Sequence, residues 1–310
     1  MEILIIGGNG VLGNALQAQC NRNGIKHEVA KTLTTTEPET IRETPLYNLY
    51  EGKIEGLNYS DFSRNKIAIL LAGMSSPTEA HSDKPSSYKI NFIGTIKLLE
   101  TLEQYGYWTF FVSSVEVFPG KKINYKETDS PEPLNWYGHL KYRVEEYIRT
   151  CLRHCVIIRT GWNIPTTQSR AGRDPVEVTY KSLLSTRPQM VVDQYFTPIG
   201  ADDFSASLLQ FAKTGISDER IIHIASSEVF SRSDFADSIL KKSKNKQLNN
   251  YKKAFYNDFY DSAKEPRGRI NGLSNGLLLS ISPITFSAID EIIEIRIRQL
   301  DTMYRMNSTC

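Results

Sequence analysis

Gly7-Gly8-Asn9-Gly10-Val11-Leu12-Gly13 follows the apolar run Glu2–Ile6 directly and leads into a helical stretch, Val11–Arg22. Glycines spaced GxxGxxG at such a junction allow a tight turn. They also let the backbone approach a pyrophosphate, which then lies on the positive end of the helix. Glycine clusters are common in turns of every kind, but one placed between a strand and a helix reads as dinucleotide-binding. Gly7, Asn9, Gly10, Val11, Leu12 and Gly13 are the residues expected to line that turn.

Working outward, strand-like and helix-like segments alternate. Residues 27–30 read as a second strand and 67–71 as a strand covered on both faces. Residues 88–105 carry a helical stripe of Ile93, Ile96, Leu98, Leu99 and Leu102. Trp108–Val112 is another buried strand, 137–151 a helix and 155–158 a further strand. Alternation of this kind implies a Rossmann-type α/β fold, a doubly wound parallel sheet with helices on both faces.

The second half is less regular and reads as a smaller C-terminal α/β region. Residues 166–174 form a polar loop, 190–192 and Ile221–Ile224 are strand candidates, and Ala201–Thr214, 231–242 and 285–300 are helix candidates. The Lys- and Asn-rich stretch 241–253 reads as a solvated helix end and loop. The expected division puts a dinucleotide-binding domain at 1–162, with a return segment near 193–215. Residues 163–192 and 216–310 are then the substrate-binding region.

Composition narrows the function classes. The chain has 310 residues, with 37 Lys and Arg against 35 Asp and Glu. That balance gives no electrostatic reason to expect nucleic acid or an acidic membrane as partner. No apolar run approaches the ~20 residues that span a bilayer. The four cysteines, Cys20, Cys151, Cys155 and Cys310, form no CxxC pair, which suits a reducing cytoplasm. Cys151, His154 and Cys155 lack further ligands nearby, so no metal site is expected.

Three further features carry chemistry. About 20 residues beyond the glycines, where a carboxylate would bind the ribose hydroxyls of NAD, the chain has Lys31, with Arg42 further on. Basic residues can pair with a 2′-phosphate, which favours NADP(H) over NAD(H); a plain surface lysine is the alternative. Tyr137 and Lys141 stand one helical turn apart, so the ammonium can favour the phenolate and make Tyr137 usable as an acid or base. Ser113 and Ser114 follow strand Trp108–Val112, at the sheet end where open α/β sheets bind ligands. A serine there can donate to a substrate oxygen while Tyr137 moves the proton.

GxxGxxG, then serine after a central strand, then YxxxK resembles the extended short-chain dehydrogenase/reductase superfamily. Leu71-Ala72-Gly73-Met74-Ser75 is similar to its segment beneath the cofactor, and Asn91-Phe92-Ile93-Gly94-Thr95 to its Asn-x-x-Gly-Thr. The rest resembles the dTDP-4-dehydrorhamnose reductase family. Ser113–Phe118 is similar to its Ser-Thr-Asp-Tyr-Val-Phe, and Arg159-Thr160-Gly161-Trp162 to its Arg-Thr-Ser-Trp. Asp193-Gln194 with Thr197-Pro198, and Phe230-Ser231-Arg232-Ser233-Asp234-Phe235-Ala236, match later blocks. Residues 31–66 are the least similar part.

The resemblance implies a cytoplasmic NAD(P)H-dependent reductase of a nucleotide-linked 4-keto-6-deoxysugar. Ser114, Tyr137 and Lys141 would be catalytic, and Ser114, Glu116 and Trp162 would meet the substrate. Ala72, Gly73, Met74, Ser75, Asn91 and Ser113, with Tyr137 and Lys141, would join the glycine turn and Lys31 around the cofactor. A homodimer is compatible with it. Two departures stand out: Val115 and Glu116 replace Asp and Tyr after the serine. Val115 cannot donate a proton, which disfavours dehydration; Glu116 is either an acid/base near the sugar or a polar contact. Two rivals stay open. One is a sugar-nucleotide epimerase or decarboxylase with tightly held NAD. The other is a non-catalytic NADP-binding subunit, like the regulatory subunit of methionine adenosyltransferase.

Overall fold

Ile3, Leu4, Ile5 and Ile6 are wholly buried, and the strand they form lies inside the main sheet. The computed structural model describes residues 1–32, 44–59, 66–166, 174–214, 220–260 and 266–306. Among them the main sheet has eight strands. These are β1 (Glu2–Ile6), β2 (Lys26–Thr32), β3 (Leu46–Asn48), β4 (Lys53–Glu55), β5 (Lys66–Leu70), β6 (Trp108–Val112), β7 (Cys155–Thr160) and β8 (Ile221–Ile224). Their order is β8-β7-β6-β5-β1-β2-β3-β4, and every neighbour is parallel except the β3–β4 pair.

The chain leaves β1 for β2 on one side and returns to β5 on the other. The carboxyl end of β1 is therefore a topological switch point, where such sheets open a ligand crevice. Strand alternation feeds two cores. Ile3 and Ile5 pack with Leu16, Phe204 and Leu208 from helices Val11–Arg22 and Ala201–Thr214. Leu4 and Ile6 face Leu98, Leu102, Val144 and Ile148 from helices Thr95–Gln104 and Trp136–Cys151. This is the doubly wound α/β fold read from the sequence.

A third core joins helices Pro175–Leu183, Arg232–Lys242 and Ile289–Met306 through Tyr180, Phe235, Ile293 and Ile297. Its sheet is mixed: Lys121–Tyr125 pairs in parallel with Ile270–Leu273, which pairs in parallel with Tyr195–Phe196, and Phe230–Ser231 joins the last antiparallel. A strand from within the first 162 residues thus completes a sheet of the C-terminal region.

Some elements differ from expectation. The helix read at 88–105 is split by a π-helical turn, Lys89–Gly94. Helix Pro175–Leu183 follows directly on the expected loop 166–174, of which 167–173 lie outside the described residues. Its start is built from Asp174, whose Oδ1 accepts from Val176 N at 2.9 Å, and Pro175, which has no N–H to leave unpaired. The stretch read as loop at 241–253 ends in a short strand, Lys252–Ala254, paired with Gln189–Val191.

Candidate active site

The glycine turn sits at the end of β1. Gly7 has φ +92°, and a Cβ there would stand 2.8 Å from Ala72 N. A Cβ on Gly13 would meet Gly7 O at 2.4 Å, so close packing of helix on strand requires that glycine. Gly10 differs. Its backbone is extended at φ −88°, it is exposed, and the nearest atom to a Cβ would be Gly7 O at 3.4 Å. The fold tolerates a side chain at Gly10; the space over it is open. Gly10 also gives helix Val11–Arg22 no side-chain cap, leaving first-turn N–H groups facing that space. These features fit a dinucleotide pyrophosphate.

Asn9 ties the turn to β2: its Oδ1 accepts from Thr32 Oγ1 at 2.8 Å and Thr32 N at 3.2 Å. The turn opens on a cleft of about 420 Å³, walled also by 71–73, 75–77, 161–163, the start of helix Pro175–Leu183 and Arg232. Gly7, Asn9, Gly10, Val11, Leu12, Gly13, Ala72, Gly73, Ser75 and Trp162 line it. At the end of β2 the lining residue is Thr32; Lys31 is half-buried on the strand and stands outside the lining. Arg42 lies outside the described residues.

Met74 and Asn91 support the floor. The Asn91 side chain, carried on the π-helical turn, accepts from Met74 N at 2.8 Å and donates to Met74 O at 2.9 Å. Gly73, at φ +152°, has no room for a Cβ beyond 3.0 Å from Asn91 Oδ1. Asn91 therefore shapes the segment under the cleft.

Ser114 follows the carboxyl end of β6, which Lys141 reaches from the helix that also carries Tyr137; none of the three is among the residues that line the cleft of the glycine turn. Asn135 caps the helix that carries the last two, its Oδ1 accepting from Gly138 N at 2.9 Å. Lys141 is buried; its Nζ donates to Val112 O at 2.9 Å and stands 5.9 Å from the Tyr137 ring centroid. Burial lowers the Lys141 pKa to about 8, with Glu145 opposing the shift. Ser114 Oγ accepts from Glu116 N at 3.2 Å, capping the short turn Val115–Val117 and leaving its O–H able to donate. Glu116 Oε2 accepts from Asn135 Nδ2 at 2.6 Å, so the carboxylate is tied to the cap of the Tyr137 helix.

Ser113 turns the other way. Its hydroxyl donates to Glu145 Oε1 at 2.5 Å, inside a buried network with Arg159, whose Nη2 reaches Glu145 Oε2 at 2.6 Å. His223 stands behind, Nε2 3.4 Å from Arg159 Nη1; burial and the guanidinium hold its pKa down near about 3. Sequence reading left Glu145 and His223 without a role. Glu145 could have been noticed, four residues beyond Lys141 on the same helix face. His223 has no local signal, because its partners come from other strands.

Trp162 stacks on Phe196 at 4.0 Å between centroids, and the Arg232 guanidinium lies 4.9 Å from the Trp162 centroid. Thr32, Asp174 and Arg232 are cleft residues that sequence reading did not single out; Asp-Pro before a helical pattern was the available signal for Asp174. Among the described residues no group of three His, Cys, Asp or Glu side chains is placed to hold a metal. None of the described helices is long and apolar enough to cross a membrane.

The chain is similar to a dTDP-4-dehydrorhamnose reductase of Aggregatibacter actinomycetemcomitans, 28% identical over 245 residues, 77% of this chain and 78% of that one. A UDP-glucose 4-epimerase of Haemophilus influenzae is 29% identical over 162 residues, 48% of each chain. Among solved structures, a dTDP-4-dehydrorhamnose reductase of Clostridium acetobutylicum superposes with TM-score 0.76 at 20% identity, covering 97% of this chain and 99% of that one. A dTDP-4-dehydrorhamnose reductase of Bacillus anthracis, solved in complex with NADP, superposes with TM-score 0.73 at 20% identity, covering 94% and 97%. The family model described as RmlD substrate binding domain matches residues 1–270, and the chain belongs to that family.

Proposed function

We propose that this protein is an NADPH-dependent reductase of a nucleotide-linked 4-keto-6-deoxysugar. The observation that carries the reading is the Lys141 ammonium, buried and anchored on Val112 O, between Tyr137 and the strand end that bears Ser114. The Aggregatibacter relative, matched over most of both chains, supports the substrate class. Thr32 rather than a carboxylate in the cleft at the end of β2, with Lys31 beside it, supports NADPH over NADH. The Bacillus anthracis neighbour in complex with NADP points the same way.

A nicotinamide, when bound, would supply the hydride and the redox chemistry. The chain's residues hold the carbonyl and move the proton. Ser114 O–H donates to the carbonyl oxygen and orients it. Tyr137 gives its phenolic proton to that oxygen as negative charge develops, and the nearby Lys141 cation steadies the phenolate left behind. Trp162, held between Phe196 and the Arg232 guanidinium, lines the cleft beside the sugar. Gly10 and the first turn of helix Val11–Arg22 would hold the dinucleotide's pyrophosphate.

An epimerase reading has specific support in the Haemophilus relative and in Glu116, held at the helix cap. One experiment separates the two: follow NADPH absorbance with a panel of nucleotide-linked 4-keto sugars. Stoichiometric NADPH loss, slower with NADH, supports reduction. Sugar interconversion without net NADPH loss supports epimerisation.

A further inference from the structure

Arg232 opens helix Arg232–Lys242 and lines the cleft shared with the glycine turn. Its Nε is buried and has no hydrogen-bond partner among the described residues. Buried guanidinium N–H groups nearly always have an acceptor, so an arginine in a cleft wall whose Nε has none points to an acceptor that arrives with the ligand. The carboxylate in the same wall cannot serve. Asp174 is held by Arg296 Nε at 2.5 Å and by Val176 N at 2.9 Å, and the second Arg296 contact goes to Glu177. Trp162 lies under the Arg232 guanidinium at 4.9 Å and is itself backed by Phe196. Stacking of this kind fixes the cation and leaves its edge N–H groups free to point at an anion.

We propose that Arg232 binds a phosphoryl oxygen of a ligand in this cleft, pre-positioned by Trp162. The inference rests on the nucleotide-sugar reductase reading. Two groups share the required chemistry: the diphosphate of the nucleotide sugar and the phosphates of the dinucleotide. A planar fork of donors suits either, and a charge-assisted pair in a partly dried cleft contributes strongly to affinity.

Calorimetric titration of Arg232→Met and Arg232→Lys with dTDP, UDP and NADPH tests the assignment without turnover. Arg232→Met is expected to weaken the nucleoside diphosphates by about tenfold or more and NADPH by less than about twofold. Arg232→Lys should recover part of the loss, because it restores charge without the fork. A loss confined to NADPH would also support phosphoryl binding and assign the phosphate to the dinucleotide. Affinities within about twofold of the parent for all three ligands, in a variant with an unchanged melting temperature, would overturn the proposal. Failure of the reductase reading shows separately, as no NADPH turnover with any 4-keto sugar while these titrations keep their contrast.

Discussion

Lys141 Nζ donates to Val112 O at 2.9 Å, so the cation of the YxxxK helix is pinned to the strand after which Ser114 comes. One hydrogen bond fixes the distance between two elements far apart in sequence. It also leaves the remaining ammonium donors for groups in the site.

Tyr137 is the expected proton donor. Tyr137→Phe removes only the hydroxyl, so cofactor affinity should hold while the rate falls by about 10²–10⁴-fold. Single-turnover kinetics beside a cofactor titration checks both. A variant still within about threefold of the parent rate would move the donor elsewhere, with Glu116 the first place to look.

The Lys141 pKa near 8 predicts a pH limit. The side chain is charged below that value and neutral above it, and the mechanism needs the charge. The rate should therefore be level up to about pH 7.5 and fall toward tenfold per unit above about pH 8.5. Lys141→Met should lose rate and this limb together. A parent rate unchanged between pH 7 and 10 contradicts the assignment.

Two glycines of one turn should fail differently. Gly10→Val meets no backbone clash but fills the space over the helix end, so folding should survive while NADPH affinity is lost. Gly13→Ala puts a Cβ 2.4 Å from Gly7 O and should lower the melting temperature itself. Thermal melts with and without NADPH separate the two effects. A Gly10→Val protein that binds NADPH normally removes the pyrophosphate from this turn.

Arg159→Leu leaves the Glu145 carboxylate buried without its cation. Breaking a buried pair by removing one partner costs about 3–5 kcal/mol. Urea denaturation should show that loss, and Ser113→Ala, which removes one neutral donor, should cost far less. Equal stability in parent and Arg159→Leu would mean that Glu145 has another way to be satisfied.

Local pattern was enough for the Rossmann half. The runs Glu2–Ile6 and Trp108–Val112 are apolar throughout because parallel strands are covered on both faces, and helix Val11–Arg22 carries its own start signal in the glycines. GxxGxxG and YxxxK are short-range motifs, and their spacing is their chemistry. What depends on packing could not be read that way. Residues 121–125 gave no strand signal because their partner, Ile270–Leu273, arrives from the far end of the chain. The direction of Ser113, away from Ser114 and onto Glu145, follows from strand alternation and from the helix laid across β6. Thr32, not Lys31, meets the cleft for the same reason, since one step along a strand reverses the face. Arg232 gains its meaning only in the fold, which sets Trp162 beneath it and gives its Nε no acceptor among the described residues. Sequence alone determined the turn and the Tyr137/Lys141 pair, because each rests on contacts within a few residues, and it implied the parallel sheet through the alternation of apolar runs with helices. The tertiary structure decided which polar groups are used inside the fold and which are left open for a ligand, because hydrogen-bond satisfaction is settled between segments that only folding brings together.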